Sequence, residues 1–178
     1  WKAGVSGTSA AGEFNSRMQE MTQVQSLLRQ PPAVAQQFID QQRQQMQANG
    51  ASVTQQANLD RLQTAVTNNT KLMRENPLTF NAMRTGADVA PLDVSGITST
   101  EGQQRLGEQV AERFDVVNSV RKAYGPDVAR NPWKPEEATM LTALIKQADD
   151  STKLQLFGAI AGSSPSGADY AAAIKPLV

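Results

Sequence analysis

Proline and glycine fall along this chain at intervals that forbid any long uninterrupted helix. Breaks stand at Pro31-Pro32, Asn49-Gly50, Asn76-Pro77, Gly86, Gly125-Pro126 and Gly162-Ser163-Ser164-Pro165. Proline removes a backbone donor and clashes with the preceding turn, and glycine ends helices by entering the left-handed region. Between the breaks, apolar residues recur every three or four positions, the period of one helix face. No segment sustains the period-two alternation of a strand. The expected fold is therefore all-α, an irregular array of about seven to eight helices joined by short loops, with one long connector near 86–99.

The first stripe is Phe14, Met18, Met21, Val24 and Leu28, ended by Pro31-Pro32. Pro32 suits the first turn of the next helix, where a missing N–H costs nothing. That helix is expected over 32–48, with Val34, Ala35, Phe38, Ile39 and Met46 inward. Ser52 or Thr54 caps a third helix to about Glu75, facing inward through Leu59, Leu62, Val66 and Met73. Asn68-Asn69-Thr70 interrupts its pattern. Pro77 opens a short helix through Arg84.

Ser99 or Thr100 then caps the segment with the clearest stripe: Leu106, Val110, Phe114, Val117, Val120 and Tyr124. Its charges, Glu108 and Glu112 against Arg105, Arg113 and Arg121, follow the pattern of a solvated face. Beyond a loop holding Asn131-Pro132-Trp133, Pro135-Glu136-Glu137 reads as a helix start, with acids where the macrodipole favours them. Met140, Leu141, Leu144 and Ile145 face inward there. Leu154, Phe157, Ile160 and Ala161 line the following helix, and a last short helix carries Tyr170, Ala173 and Ile174. The three short helices after Trp133 are expected to pack as neighbours.

The connector 86–99 is the longest irregular stretch, and such stretches mark functional loops or seams. Read as a seam, it divides the chain into a flexible lead-in (1–12), a Gln-rich helical subdomain (13–85), the connector itself and a C-terminal helical subdomain (100–178). The chain begins at Trp1 without Met and reads as a fragment or a processed product, with Trp1 expected to belong to a core elsewhere.

Composition narrows the chemistry. Lys plus Arg equals Asp plus Glu at 17 each, so the basic excess that neutralises nucleic-acid phosphates is missing. There is no histidine and no cysteine, which removes the commonest general base, metal ligand and disulfide. Glu136-Glu137 and Asp149-Asp150 are the only adjacent carboxylates. Neighbours in sequence point apart on a helix, whereas a glycosidase needs two carboxyls about 5 to 9 Å apart across one cleft. Phosphate loops, zinc spacings and calcium loops do not occur. No catalytic, cofactor-binding or metal-ligating residue is expected, and no run of 18 apolar residues could cross a bilayer as a helix.

The run Ala111-Glu112-Arg113-Phe114, then Val120-Arg121-Lys122-Ala123-Tyr124-Gly125-Pro126, then Pro135-Glu136-Glu137-Ala138, resembles a helical segment of large internal virion proteins of tailed bacteriophages. Glu75-Asn76-Pro77 and Pro91-Leu92-Asp93 fit the same segment, and the likeness extends over residues 60 to 175. These DNA-ejection proteins often carry a lytic transglycosylase domain elsewhere. The family's catalytic Glu is commonly followed by Ser, and this sequence has no Glu-Ser pair, so no catalytic residue carries over.

The resemblance implies a virion component released into the host periplasm or envelope during genome ejection. Its partners would be copies of itself and other virion proteins, with indirect contact to genomic DNA. The packing residues are expected to be Leu106, Val110, Phe114, Val117, Val120, Tyr124, Trp133, Leu141, Leu144, Leu154, Phe157 and Ile160. Alternative readings are a tape-measure-like segment, the non-catalytic part of a peptidoglycan-cleaving transglycosylase, or a helical adaptor of a secreted effector.

Overall fold

A computed structural model describes Met18 and residues 21–178. The expected lead-in, with Trp1, and Phe14 of the first stripe lie outside the described residues. Among them all regular structure is helical. The helices are α1 (21–29), α2 (Pro32–Asn49), α3 (Val53–Glu75), α4 (Pro77–Thr85), α5 (Thr100–Tyr124), α6 (Pro135–Gln147), α7 (Asp150–Ser163) and α8 (Gly167–Ile174).

The chain divides into two compact units, 1–70 and 71–178. The seam lies between Thr70 and Lys71, inside α3, and not at the connector. The polar run Asn68-Asn69-Thr70, which breaks the apolar pattern without ending the helix, marks the place. There Thr70 Oγ1 bonds back to the Val66 carbonyl at 2.8 Å and Asn69 Nδ2 reaches the Leu28 carbonyl at 3.3 Å, so both polar side chains find partners without ending the helix.

In the first unit, Ser52 and Gln55 satisfy each other's backbone. The Gln55 N–H donates to Ser52 Oγ at 3.2 Å, and the Ser52 N–H donates to Gln55 Oε1 at 2.9 Å. This reciprocal cap fixes the start of α3 at Ser52 and leaves Thr54 inside the helix. The core is Leu27, Ala35, Ile39, Leu59, Leu62 and Val66, with Val24, Phe38 and Met46 packed beside it. Two expectations shift by one position. Leu27 takes the deepest place on α1 in place of Leu28, and Met18 and Met21 remain exposed. On α2 the buried ridge is Ala35 and Ile39, which turns Val34 outward.

The second unit is thicker. Its closest helix pairs are α4 with α5, α5 with α7 and α7 with α8. Helix α7 thus packs mainly on α5 and α8 rather than on its neighbour α6. Leu106, Val110, Phe114, Trp133, Leu141, Leu156 and Ile160 form one cluster, joined by Leu92 and Ile97 from the connector. Met73, Phe80, Val120 and Val128 form a second, where Phe80 meets Tyr124 edge-on at 5.3 Å. Burying three connector residues, Val89, Leu92 and Ile97, seats 86–99 as a covering layer on this unit, which is why it is no seam.

On α7 the expected face is wrong by two residues at one point. Leu156 is buried while Leu154 is 74% exposed. The buried pair Leu156 and Ile160 is four apart and defines the ridge against α5, so Leu154 and Ala161 point away. Met140 likewise turns outward, and Leu141 fills the core.

Candidate functional site

The most ordered polar constellation stands on one side of α5. Arg105, Gln109 and Arg113 lie four residues apart, so they share a face of the helix. Each catches the connector. Arg105 Nη2 donates to the Ser95 carbonyl at 2.8 Å, and its Nε lies 3.1 Å from Asp93 Oδ2. Gln109 Oε1 accepts from the Asp93 N–H at 2.8 Å. Arg113 Nη2 donates to the Ala90 carbonyl at 2.6 Å. The Asp93 side chain also accepts from the Ser95 N–H at 2.8 Å, and the bonds from Ser95, with Arg105 adding to them, lower the Asp93 carboxyl below its ordinary value.

Arg113 is the centre of this ladder. It is 0% exposed, contrary to the solvated role its helix pattern implied. Its Nη2 donates to Glu137 Oε1 at 2.7 Å, its Nε reaches Glu137 Oε2 at 3.4 Å, and its Nη1 donates to the Gln109 carbonyl at 3.1 Å. Glu137 Oε2 also accepts from the Lys134 N–H at 3.1 Å, closing the first turn of α6. A buried charge is tolerated only when paired and fully hydrogen-bonded, and both ions meet that condition. One guanidinium therefore ties together α5, the connector and the start of α6.

Two further ion pairs continue the arrangement. Lys134 Nζ lies 2.8 Å from Asp88 Oδ2, and the bond from Lys134 lowers the Asp88 carboxyl. Farther along, Ser166 caps α8, its Oγ accepting from the Asp169 N–H at 3.2 Å and donating to Asp169 Oδ2, while Arg130 Nη1 donates to Asp169 Oδ1 at 2.9 Å. Burial pushes the Asp169 carboxyl up, but the bonds from Ser166 and Arg130 outweigh it and the net shift is downward. Trp133, expected in the core, is 2% exposed, and its indole N–H donates to the Ala173 carbonyl at 2.7 Å.

The N-terminus of α5 is pressed against the same connector. Ser99 Oγ accepts from the Gly102 N–H at 3.1 Å. A β-carbon on Gly102 would stand 1.9 Å from the Gly96 carbonyl oxygen, so only glycine fits there. Sequence reasoning noticed the cap and missed this contact.

Chemically, these groups are spent on one another. Arg113 has no exposed surface to offer, and the carboxylates named here pair with Arg or Lys or cap helices. Among the described residues no three His, Cys, Asp or Glu side chains gather where a metal ion could sit, and no helix is long and apolar enough to cross a membrane. The pairs singled out in the sequence are helix starts: Glu136 and Glu137 lie in the first turn of α6, and Asp149 Oδ1 accepts from the Thr152 N–H at 2.8 Å ahead of α7.

Open apolar surface remains on both units. In the first, Met18, Leu27, Val34 and Phe38 line a groove of about 700 Å³ with only uncharged polar neighbours. In the second, Gly107, Ala111, Gly158, Ala159 and Gly162 floor a groove of about 710 Å³ between α5 and α7, with Leu154 exposed one turn before Gly158. Of the packing residues expected from sequence, those on α5 with Trp133, Leu141 and Ile160 lie in or against the cores. Leu154 does not. No known protein family, characterised protein or solved structure matches this chain.

Proposed function

We propose that this chain is a structural and assembly segment of a bacteriophage internal virion protein, acting in genome ejection across the host envelope through packing and not through chemistry. The observation that carries the reading is the fate of the resembling residues. Ala111-Glu112-Arg113-Phe114 and Pro135-Glu136-Glu137-Ala138 lie more than twenty residues apart, and they meet in one buried ion pair. The likeness thus falls on the residues that specify this fold, which is where a shared architecture would leave its mark. Open apolar grooves on both units supply the surfaces that assembly needs. The partners are further copies of the chain and other virion proteins, first in the virion and then in the periplasm or envelope.

Sedimentation of the purified chain over a concentration series tests the assembly role. Association that strengthens with concentration and weakens in Leu154→Glu or Val34→Glu is expected, and a monomer at every concentration would refute it. A muropeptide-release assay tests the non-catalytic role. No product is expected, and release abolished by replacing a single Glu would assign an enzyme instead. Mass spectrometry of virions and of the infected host's periplasm, for a phage encoding the protein, tests the location.

A further inference from the structure

We propose that Asn49 is a site of spontaneous covalent modification, converting to aspartate and isoaspartate through a succinimide with Gly50. The reaction needs a side-chain amide, a free backbone N–H on the next residue and a backbone that lets the two meet. Within a helix the next N–H is bonded to the carbonyl four residues back, and before proline there is no N–H at all. Asn58, Asn68, Asn69, Asn81 and Asn118 are held in the first way, inside α3, α4 and α5. Asn76 and Asn131 precede Pro77 and Pro132 and are blocked in the second.

Asn49 escapes both. It is the exposed last residue of α2, so the following amide lies outside the helix. Gly50 adopts φ 76 and ψ 150, and its N–H donates to no described residue, in contrast to Gly86 and Gly125, whose N–H groups bond the Ala82 and Arg121 carbonyls. Nothing stands within 4 Å of where a Gly50 β-carbon would be, so the approach is open.

Each step balances. Hydroxide removes the Gly50 N–H proton, and the nitrogen attacks the Asn49 Cγ carbonyl carbon. A new bond from the Gly50 nitrogen to Cγ closes the ring, the bond from Cγ to Nδ2 breaks, and ammonia leaves with a proton taken from water. Water then attacks one imide carbonyl carbon and its bond to the Gly50 nitrogen breaks: breaking at Cγ gives aspartate, and breaking at the Asn49 backbone carbonyl gives isoaspartate. Either product puts a negative charge at the end of α2, where the helix dipole is itself negative and the last turn holds no basic residue.

The test incubates the full native protein in mildly alkaline buffer, follows each asparagine by peptide mapping, and labels isoaspartate with its methyltransferase. Asn49 is expected to convert ahead of every other asparagine in 21–178, faster as hydroxide rises, and within about tenfold of its rate in the urea-denatured protein, a barrier difference of about 1.4 kcal/mol. The label should vanish in Asn49→Gln, whose helix content by circular dichroism should be unchanged. Retention of the Asn49 amide in the native protein while the denatured protein loses it, or earlier conversion at another described asparagine, would overturn the proposal.

Discussion

Among the described residues up to Thr70 the bonds between helix side chains centre on a pair of amides, and in residues 71–178 the bridge beside the core is a buried ion pair. Gln36 on α2 and Gln63 on α3 exchange two bonds, Gln63 Nε2 to Gln36 Oε1 at 2.9 Å and Gln36 Nε2 to Gln63 Oε1 at 3.2 Å, with Arg43 Nη2 donating to Gln63 Oε1 at 3.3 Å. This staple is half-buried and touches water. Arg113 and Glu137 in the second unit do not. The difference follows from shape. A few helices alone leave one wetted side on every member, so polar bridges remain near solvent. Folding the 86–99 connector over α5 adds a layer, and two of its backbone carbonyls, at Ala90 and Ser95, take donors from Arg113 and Arg105, long side chains that reach across from α5. What an extra layer teaches here is that depth creates polar demands as well as apolar burial.

The largest expected effect strikes that difference at its root. Arg113→Ala leaves the buried Glu137 carboxylate with only the Lys134 N–H and takes the donor from the Ala90 carbonyl, and the second unit should lose about 3 to 5 kcal/mol in denaturant unfolding. Replacing both ions by apolar residues of similar volume, Arg113→Met with Glu137→Leu, removes the orphaned charge and should recover most of that loss. A double variant as weak as the single would show that the bonds to Gln109 and Ala90, and not the ion pair, hold the unit. Amide exchange in α2 should be untouched by either.

Next comes the close contact at the start of α5. Gly102→Ala drives a methyl group into the Gly96 carbonyl, and overpacking of this kind costs about 1 to 3 kcal/mol or more. Gly158→Ala in the same unit meets nothing within 4 Å and should stabilise α7 by about 0.5 to 1 kcal/mol. Opposite signs in thermal unfolding are the expected outcome, and equal signs would mean the connector yields to the methyl. In the first unit, Gln63→Ala should cost about 0.5 to 1.5 kcal/mol, the worth of a part-buried hydrogen-bonded group. A loss as large as that of Arg113→Ala would erase the contrast between the units.

The helices were legible because each stripe is bounded by a proline, a glycine or a capping residue, and local chemistry decides those boundaries. The ridge that each helix buries was less so. Leu154 and Leu156 are equally apolar, and which one turns inward depends on where α5 lies, which no local pattern contains. Arg113 was misread for a related reason. Glu108 and Glu112, alternating with Arg105 and Arg121, gave the charge pattern of a wet face, while the partner of Arg113, Glu137, stands 24 residues away across a loop. The usable signal was the four-residue spacing of Arg105, Gln109 and Arg113 directly before Leu106, Val110 and Phe114, a polar file running beside the apolar one. The seam was present as well, in Asn68-Asn69-Thr70, but a helix that continues through a change of unit cannot be told from a helix with a polar patch.

Acid provides the smallest and most selective probe. The folded Asp169 carboxyl lies below its ordinary value of 3.8 because the Ser166 and Arg130 bonds outweigh burial. In the window between those values the unfolded protein binds the extra proton and the folded protein does not, so stability rises with pH there. The contribution is therefore whole above about pH 4 and is lost as pH falls through the folded value. Asp88, lowered chiefly by its bond from Lys134, acts in the same sense. Amide exchange in α8 should quicken on entering this window, and Asp169→Asn should flatten the response while Ser166 still caps the helix. The Gln36 and Gln63 amides have no proton to gain, so their staple gives an internal reference. Exchange in α8 that is indifferent to pH through the window would mean that the Ser166 cap alone holds α8, and that Arg130, at 41% exposure, contributes only the little expected of a solvated ion pair.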